Sequence, residues 1–571
     1  MKILLIQPPI RDFYQTSIRI QPIGLAYLAS SLRTHGHEVE ILDCQTKKKK
    51  SISIPPELSY LRDFYPFNDR SPFKLYSGFY HFGMGWDEIR QMIEKSIADA
   101  FGISSSFTPY HGEALEIARI IKEWDKEKIV VMGGSHVSGD PEGVLKSPYV
   151  DYVVLGEGEI RFPLLLEKIE TGNGCEIRGI DGIGYREDGE IRINPPRSFI
   201  KDLNALPYPA RDLLDLDRYR LKRIRSTMLI TSRGCPHQCA YCSAHLVMGH
   251  SFRTRSPEAI LEEMKECQER YGVQIFDIED DNFTFDQDRA KRLLHLVIQT
   301  FGEGTLKLSA MNGISFSSID GELLKLMKKA GFETINLSFV STDVDTKERM
   351  KRPKTVAGFD RIVEEAEQAG LSVIAYGIFG MPGQSIEEML DTLIYLMGKR
   401  ILIGPSIYYP TPRTPLFERC KKEGILPSYP SQWRSSAFPI ETKEFDRLDL
   451  VTLFRLTRLI NFIKGKMDHG VFNEGITWRE LSQIIKEKVE VKAKVEVETI
   501  PKTPCAMRYT PCHKHQDMTW EDLLLLFIKD RSFLSLRKEA DGRMIVIKEK
   551  SSKKVLDYFL EKAWNSPILK S

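Results

Sequence analysis

Three cysteines crowd one short loop of this chain, in Arg233-Gly-Cys235-Pro-His-Gln-Cys239-Ala-Tyr-Cys242. The chain has nine cysteines; the others are scattered and an odd number leaves one unpaired, so a disulfide framework is the wrong reading. A tight group in such a chain points to a metal centre or to catalysis. C-x3-C-x2-C on a loop wraps three corners of an iron–sulfur cubane and leaves the fourth iron without a protein ligand. An open iron is what a cluster needs to bind and reduce a small molecule. A zinc knuckle is the competing reading, with His237 and His245 close by. Structural zinc wants four ligands, and a loop set between a strand and a helix favours the cluster.

The 571 residues are too many for one ordinary domain. Residues 1–165 alternate strand and helix: strands at 2–7, 38–43, 97–104, 129–132 and 152–155, helical spacing at 22–35 and 112–122. That alternation predicts an α/β, doubly wound, Rossmann-like sheet. Residues 45–90 break the pattern and read as an insertion or cap. Residues 166–224 read as a hairpin turning at Asp188-Gly189 and an extended, Pro-rich linker at 203–213. Between 225 and 430, strands near 227–231, 274–280, 306–310, 333–340, 372–379 and 402–408 predict a partial (β/α)6 barrel. Residues 431–571 read as mainly helical, with a hairpin at 533–548.

Lys plus Arg total 81 against 79 Asp plus Glu, and a net charge of +2 gives no reason to expect a nucleic-acid partner. No apolar run approaches a membrane span, the longest being 523–528. The apolar start at 1–6 is too short for a signal-peptide core and reads as a first buried strand. A cytoplasmic protein is expected.

The cysteine motif, with Tyr241 before its third cysteine, resembles that of the radical S-adenosylmethionine (SAM) superfamily. The resemblance implies a [4Fe-4S] cluster on Cys235, Cys239 and Cys242, whose open iron binds the amino and carboxylate groups of SAM. Reduction by a one-electron donor of flavodoxin or ferredoxin type then cleaves SAM to a 5′-deoxyadenosyl radical. Phe276-Asp-Ile-Glu-Asp280-Asp281-Asn-Phe283 stands where the family holds the SAM amino group, and an acidic pair at a strand end suits an ammonium. The plain reading of Asp280 and Asp281 is a solvated strand end or a helix cap. Gly377-Ile-Phe379-Gly380-Met-Pro-Gly383 resembles the motif that lines the adenine; a simple Gly-Pro turn is the alternative. One departure stands out: where relatives carry Gly-Ile-Glu-Ser, this chain has Ser338-Phe-Val340-Ser341. Val340 cannot take the glutamate's polar role, and Ser341 is the SAM contact left. Arg413 is a candidate substrate-pocket charge or an exposed side chain.

The N-terminal region resembles the cobalamin-binding domains that precede such barrels. The matching pieces are Gln7-Pro8-Pro9, Pro22-Ile-Gly-Leu-Ala-Tyr-Leu-Ala29, Gly102-Ile-Ser104-Ser105, Gly133-Gly134-Ser-His136, Pro141-Glu142 and Gly156-Glu157-Gly158-Glu159. Ligands of doubly wound sheets lie at the strands' carboxyl ends, where small residues let a large corrin approach the backbone. The chain lacks the Asp-x-His-x-x-Gly loop that supplies a histidine to cobalt in other cobalamin proteins. Cobalamin bound with its base displaced is expected, with His136 a loop hydrogen-bonder and Arg11 and Tyr14 facing the lower side.

Cys505, Cys512, His513 and His515 are a candidate second metal site of no standard spacing, and an exposed loop is the plainer reading. Cys44, Cys175, Cys267 and Cys420 read as isolated thiols. The resemblance implies a methyltransferase acting on an unactivated carbon through the radical and methylcobalamin. The alternatives are a cobalamin-dependent radical cyclase, ring-rearranging or oxidising enzyme, and a non-catalytic cobalamin or redox sensor. A tRNA methylthiotransferase would want three more cluster cysteines upstream, where only Cys44 and Cys175 lie. The substrate, a small molecule, lipid or peptide, is not written in the sequence.

Overall fold

The computed structural model describes residues 1–14, 21–45, 48–172, 174–312, 314–352, 356–498, 519–538 and 544–569. The first unit is built on β1 (Lys2–Gln7), β2 (Glu38–Asp43), β3 (Ala100–Ser104), β4 (Ile129–Gly133) and β5 (Tyr152–Val154). β1 is apolar along nearly its whole length, as a parallel strand covered on both faces must be. Ile3 and Leu5 pack with Leu25, Ala29 and Leu32 of α1 (Ile23–Thr34) and with Phe162 and Leu165 of α2 (Gly158–Glu170). Leu4 and Ile6 point the other way, into a core shared with Ile117 and Ile121 of the helix His111–Trp124.

The sheet order is β7-β6-β5-β4-β3-β1-β2, where β6 (Ile183–Glu187) and β7 (Glu190–Ile193) are the hairpin. The hairpin therefore joins the sheet edge, with Tyr152 of β5 opposite Tyr185 of β6, and does not sit apart in the connection. Its turn residues Asp188 and Gly189 both have positive φ, 51° and 82°, as a two-residue hairpin turn requires. Winding reverses between β1 and β3, and a ligand crevice opens at the carboxyl ends there.

The barrel comprises β8 (Ile224–Leu229), β9 (Ile275–Ile278), β10 (Lys307–Ser309), β11 (Thr334–Val340), β12 (Ser372–Phe379) and β13 (Leu402–Ile407). They form two parallel runs, joined by the isolated parallel bridges Leu308–Phe332 and Ile314–Leu337. The ring stays open past β13. Asn461, on the helix Arg447–Asp468, covers that edge: its side chain accepts from Ile403 N at 3.0 Å and donates to Ile403 O at 2.8 Å.

The irregular stretch after β2 is a cap with its own three-stranded antiparallel sheet, Ile10–Asp12, Phe79–Phe82 and Lys49–Ile52. It docks on the C-terminal part: Tyr60 Oη donates to Ala437 O at 2.9 Å, and Arg70 N to Leu536 O at 2.7 Å in the hairpin Leu534–Lys538/Met544–Lys548. No described helix is long and apolar enough to cross a membrane.

The linker is pinned by charge. Arg211 pairs with Glu263 at 2.7 Å, and Arg255 grips the same carboxylate on α3 (Pro257–Tyr271); all three are buried. Glu263→Gln leaves two buried guanidinium groups without a counter-charge, and we expect it to cost about 3–5 kcal/mol in urea unfolding of the apo chain. A loss under about 1 kcal/mol would mean the arginines find other partners.

Candidate active site

Both parallel sheets turn their carboxyl ends toward one cavity of about 450 Å³. The first sheet contributes Gln7 from β1, Gly102 and Ser104 from β3, Gly133 and Gly134 at the end of β4, and 156–159 after β5. The barrel contributes Met228, Ile230, Glu279 and Asn312 at its mouth, with Arg233 and Met248 from the flanks of the cysteine loop. Pro8, Pro9 and Ser105 border a second hollow of about 50 Å³.

His136 lines neither. It is buried, its Nδ1 is 3.1 Å from Thr108 Oγ1, and its ring lies 4.1 Å from that of His111. The glycines of the cavity wall also serve the protein's own packing. A Cβ at Gly102 would come 2.6 Å from Leu5, and one at Gly134 2.7 Å from Ser105 O, so these positions are small because the protein's own packing requires it. Arg11 is taken by Glu113, and Tyr14 is partly exposed.

The cysteine loop follows β8. Asp280, just past β9, accepts from Thr231 N at 2.7 Å, from Ser232 Oγ at 2.6 Å and from Thr231 Oγ1, and is 2 % exposed. Its oxygens are spent on the start of the loop, so its place differs from that of an ammonium ligand. Asp281 accepts from Gly234 N at 3.2 Å through one oxygen, and burial, then the charge of Asp280, pushes its carboxyl up. Gly234 has φ +82°, and a Cβ there would lie 2.3 Å from Ser251 O, which is why a glycine precedes Cys235. Cys239 is buried; Cys235 and Cys242 are half-buried. Among the described residues no three His, Cys, Asp or Glu side chains gather as around a single ion; ligands to separate corners of a cubane need not converge on one point. The motif did not announce Arg352, whose guanidinium is 3.7 Å from Cys239 Sγ and donates to Ser338 O at 3.3 Å. Tyr241, half-buried between Cys239 and Cys242, has its hydroxyl pushed up by burial.

The remaining expected SAM contacts are placed differently. Ser341 is 1 % exposed and committed to Glu388, Thr392 and the backbone of Asp343. Strand alternation leaves Tyr376 and Ile378 half-buried on the barrel's inner side and puts Phe379, fully buried, on the other. Gly380 N donates to Met389 Sδ at 3.1 Å, and a Cβ there would meet Leu450 at 2.9 Å. Val340 sits on a bulge with φ +74°, a conformation that costs a β-branched residue about 1–3 kcal/mol. Arg413 pairs at the surface with Glu142 at 2.9 Å and does not enter the cavity. Cys505, Cys512, His513 and His515 lie outside the described residues.

A buried ion network that single motifs could not reveal joins the two units. Arg233, one residue before Gly234, reaches Glu157 at 3.0 Å and Glu159 at 2.5 Å, and Arg253 reaches Glu157 at 2.9 Å. Glu157 also accepts from Ile200 N at 2.7 Å, so its carboxylate serves the domain junction although the residue borders the cavity. Burial would raise the Glu159 carboxyl, but Arg233 holds it below the usual range.

Comparison with known proteins agrees with this geometry. Residues 229–396 match the radical SAM superfamily, and residues 79–166 match the B12 binding domain. An uncharacterized methyltransferase of Pyrococcus horikoshii is 28% identical over 82% of this chain and 94% of its own length. The cytidylyl-2-hydroxyethylphosphonate methyltransferase of Streptomyces wedmorensis is 28% identical, over 69% of this chain and 76% of that one. The methyltransferase TsrM of Kitasatospora setae, solved with cobalamin and a [4Fe-4S] cluster, superposes with a TM-score of 0.55 at 18% identity, over 76% of this chain and 81% of that one. This chain is a radical SAM enzyme with an N-terminal B12-binding domain. Its cofactors are accordingly a [4Fe-4S] cluster, SAM and cobalamin, and it needs a one-electron donor.

The residues present fit those groups. Three thiols on one loop, with the Arg352 guanidinium beside Cys239, suit sulfur that carries negative charge. The cavity is bounded by both strand edges, and among its lining residues Gln21 carries a buried amide nitrogen without a partner among the described residues.

The histidine pair makes a pH prediction. Burial drives His136 down to about 4; burial, then the charge of His136, drives His111 down to about 3. Both are neutral when folded and take up protons below about pH 6.5 when unfolded. Their contribution is complete above that pH and is lost as pH falls from about 6.5 toward 4. The urea midpoint of the apo chain should therefore drop less between pH 7 and pH 5 in a His111→Asn/His136→Asn variant than in the wild type. Equal drops would rule out the pair as the source.

Proposed function

We propose that this enzyme is a methyltransferase that acts on an unactivated carbon of a substrate held between the first sheet and the barrel mouth. The observation that carries the reading is the single cavity shared by the carboxyl edges of both parallel sheets, with the cysteine loop at its rim. Relatives named as methyltransferases support it. When bound, the cluster and SAM supply a radical able to take a hydrogen atom, and cobalamin supplies a methyl group.

The chain's own part is to hold, orient and exclude water. Cys235, Cys239 and Cys242 ligate the cluster, and Arg352 offsets charge at Cys239. Tyr241 and the uncommitted oxygen of Asp281 border SAM, while Asp280 shapes the loop from behind. Gln7, Gly102, Ser104, Gly133, Gly134, Gly156 and Gly158 seat the cobalamin. Met228 and Ile230 form an apolar wall that keeps water from the reacting atoms. Glu279, hydrogen-bonded by Asn312 at 2.6 Å, is pushed up to about 7 by burial and by Asp277, and faces the substrate side. The electron donor is of flavodoxin or ferredoxin type.

Two experiments test this. Anaerobically reconstituted enzyme, deuteromethyl-SAM and native cell extract should yield one labelled product by mass spectrometry, together with S-adenosylhomocysteine and 5′-deoxyadenosine. Deoxyadenosine with no label in any molecule would exclude methyl transfer. Replacing Cys235, Cys239 and Cys242 with Ala should abolish bound iron and deoxyadenosine while cobalamin still binds; iron retained in full would exclude these ligands.

A further inference from the structure

Gln21 leads into α1, and among the described residues half of its amide has no partner. Its Oε1 accepts from Thr227 Oγ1 and from Met228 N on β8, both at 2.8 Å. The Met228 N–H can only donate, so the amide's orientation is set and Nε2 faces away from β8. Thr227 is held in turn by Arg211 Nε at 3.0 Å, which keeps Gln21 from turning. Gln21 is 3 % exposed, its Nε2 is buried with no hydrogen-bond partner among the described residues, and the residue borders the large cavity. A buried donor left unmade is expensive, so such a group calls for a partner from outside the chain, a ligand, an ion or a water, and this one borders a cavity.

Beside it, α1 begins without a cap. Pro22 offers no side-chain hydrogen bond, and the first turn holds no acidic residue. Ile23 N turns back to Gln21 O at 2.8 Å and Ala26 N bonds Pro22 O at 3.0 Å. Gly24 and Leu25 supply the other first-turn N–H groups. Both border the same cavity, and a Cβ at Gly24 would meet nothing within 4 Å. A helix start of twelve residues and a fixed amide donor thus face one space, all offering hydrogen to an acceptor.

We propose that Gln21 Nε2 and the start of α1 form a seat for an oxygen acceptor of the bound corrinoid, either its phosphodiester or a side-chain amide carbonyl. This rests on the reading that cobalamin occupies this cavity. Because the other end of the Gln21 amide grips β8, filling the seat ties the cofactor of the first unit to the first strand of the barrel.

The test is equilibrium binding of hydroxocobalamin and of dicyanocobinamide, which lacks the nucleotide loop and its phosphodiester, followed by visible absorbance. Gln21→Glu keeps an oxygen for Thr227 and Met228 but replaces the donor with an acceptor; Gln21→Leu removes both. Hydroxocobalamin should bind about three- to tenfold more weakly to Gln21→Leu, and more weakly still to Gln21→Glu. Cobinamide binding unaffected by either change assigns the seat to the phosphodiester; an equal weakening assigns it to an amide carbonyl. Unchanged affinity for both corrinoids in both variants overturns the seat. So does a weakening that comes with a matching fall in the melting temperature or iron content of the corrinoid-free chain, since that marks damage to the domain junction. A wild-type chain that binds neither corrinoid overturns the cobalamin reading instead.

Discussion

The Arg233 guanidinium is the interaction on which the arrangement depends. It lies buried between Glu157 and Glu159 of the first unit, and it stands two residues before Cys235 in the second. Burying such charges is costly unless they are paired, and here two arginines, Arg233 and Arg253, balance two carboxylates, Glu157 and Glu159. The loop after β5 and the loop carrying the cysteines therefore cannot shift separately. Radical chemistry between two cofactors needs their reacting groups at a set separation, and a rigid charged junction supplies it.

A second layer of polar contacts shapes the cysteine loop itself. Asp280 and Asp281 reach back from the end of β9 to tie Thr231, Ser232 and Gly234. The acidic pair does its main work on the fold of the loop, and only one carboxylate oxygen of Asp281 stays available for a ligand. On the opposite side, Arg352 joins Cys239 to the end of β11. The bulge and positive φ at Val340 sit on that same strand, so the barrel departs from regular geometry close to the cysteines.

Much of this was legible beforehand because it follows from local rules. Strand positions such as 2–7 and 372–379 are mainly apolar runs, 334–340 alternates polar with apolar residues, and the Asp188-Gly189 turn follows from two residues that tolerate positive φ. The cysteine spacing marked the cluster loop for the same reason. Less was legible where one residue type serves two ends. Gly102 and Gly134 do border the cavity, but they are small also for the sake of Leu5 and Ser105. Phe379 was assigned to the adenine side, but alternation along β12 turns it into the core. His136 packs its ring at a tilt against His111 and lines no cavity wall.

The sequence alone determined the chemistry class and the order of units: a cysteine loop after a strand, and glycine-rich strand ends upstream of it. Those depend on spacings of a few residues, which backbone geometry reads directly. Only the tertiary structure decided which polar groups are free to meet a ligand. Asp280, Glu157 and Ser341 are consumed by partners as far as 96 residues away, while Gln21 keeps an open donor because its other atom is held by β8, 206 residues on. Whether a side chain binds a cofactor or the protein is settled by such distant pairings, and no local pattern records them.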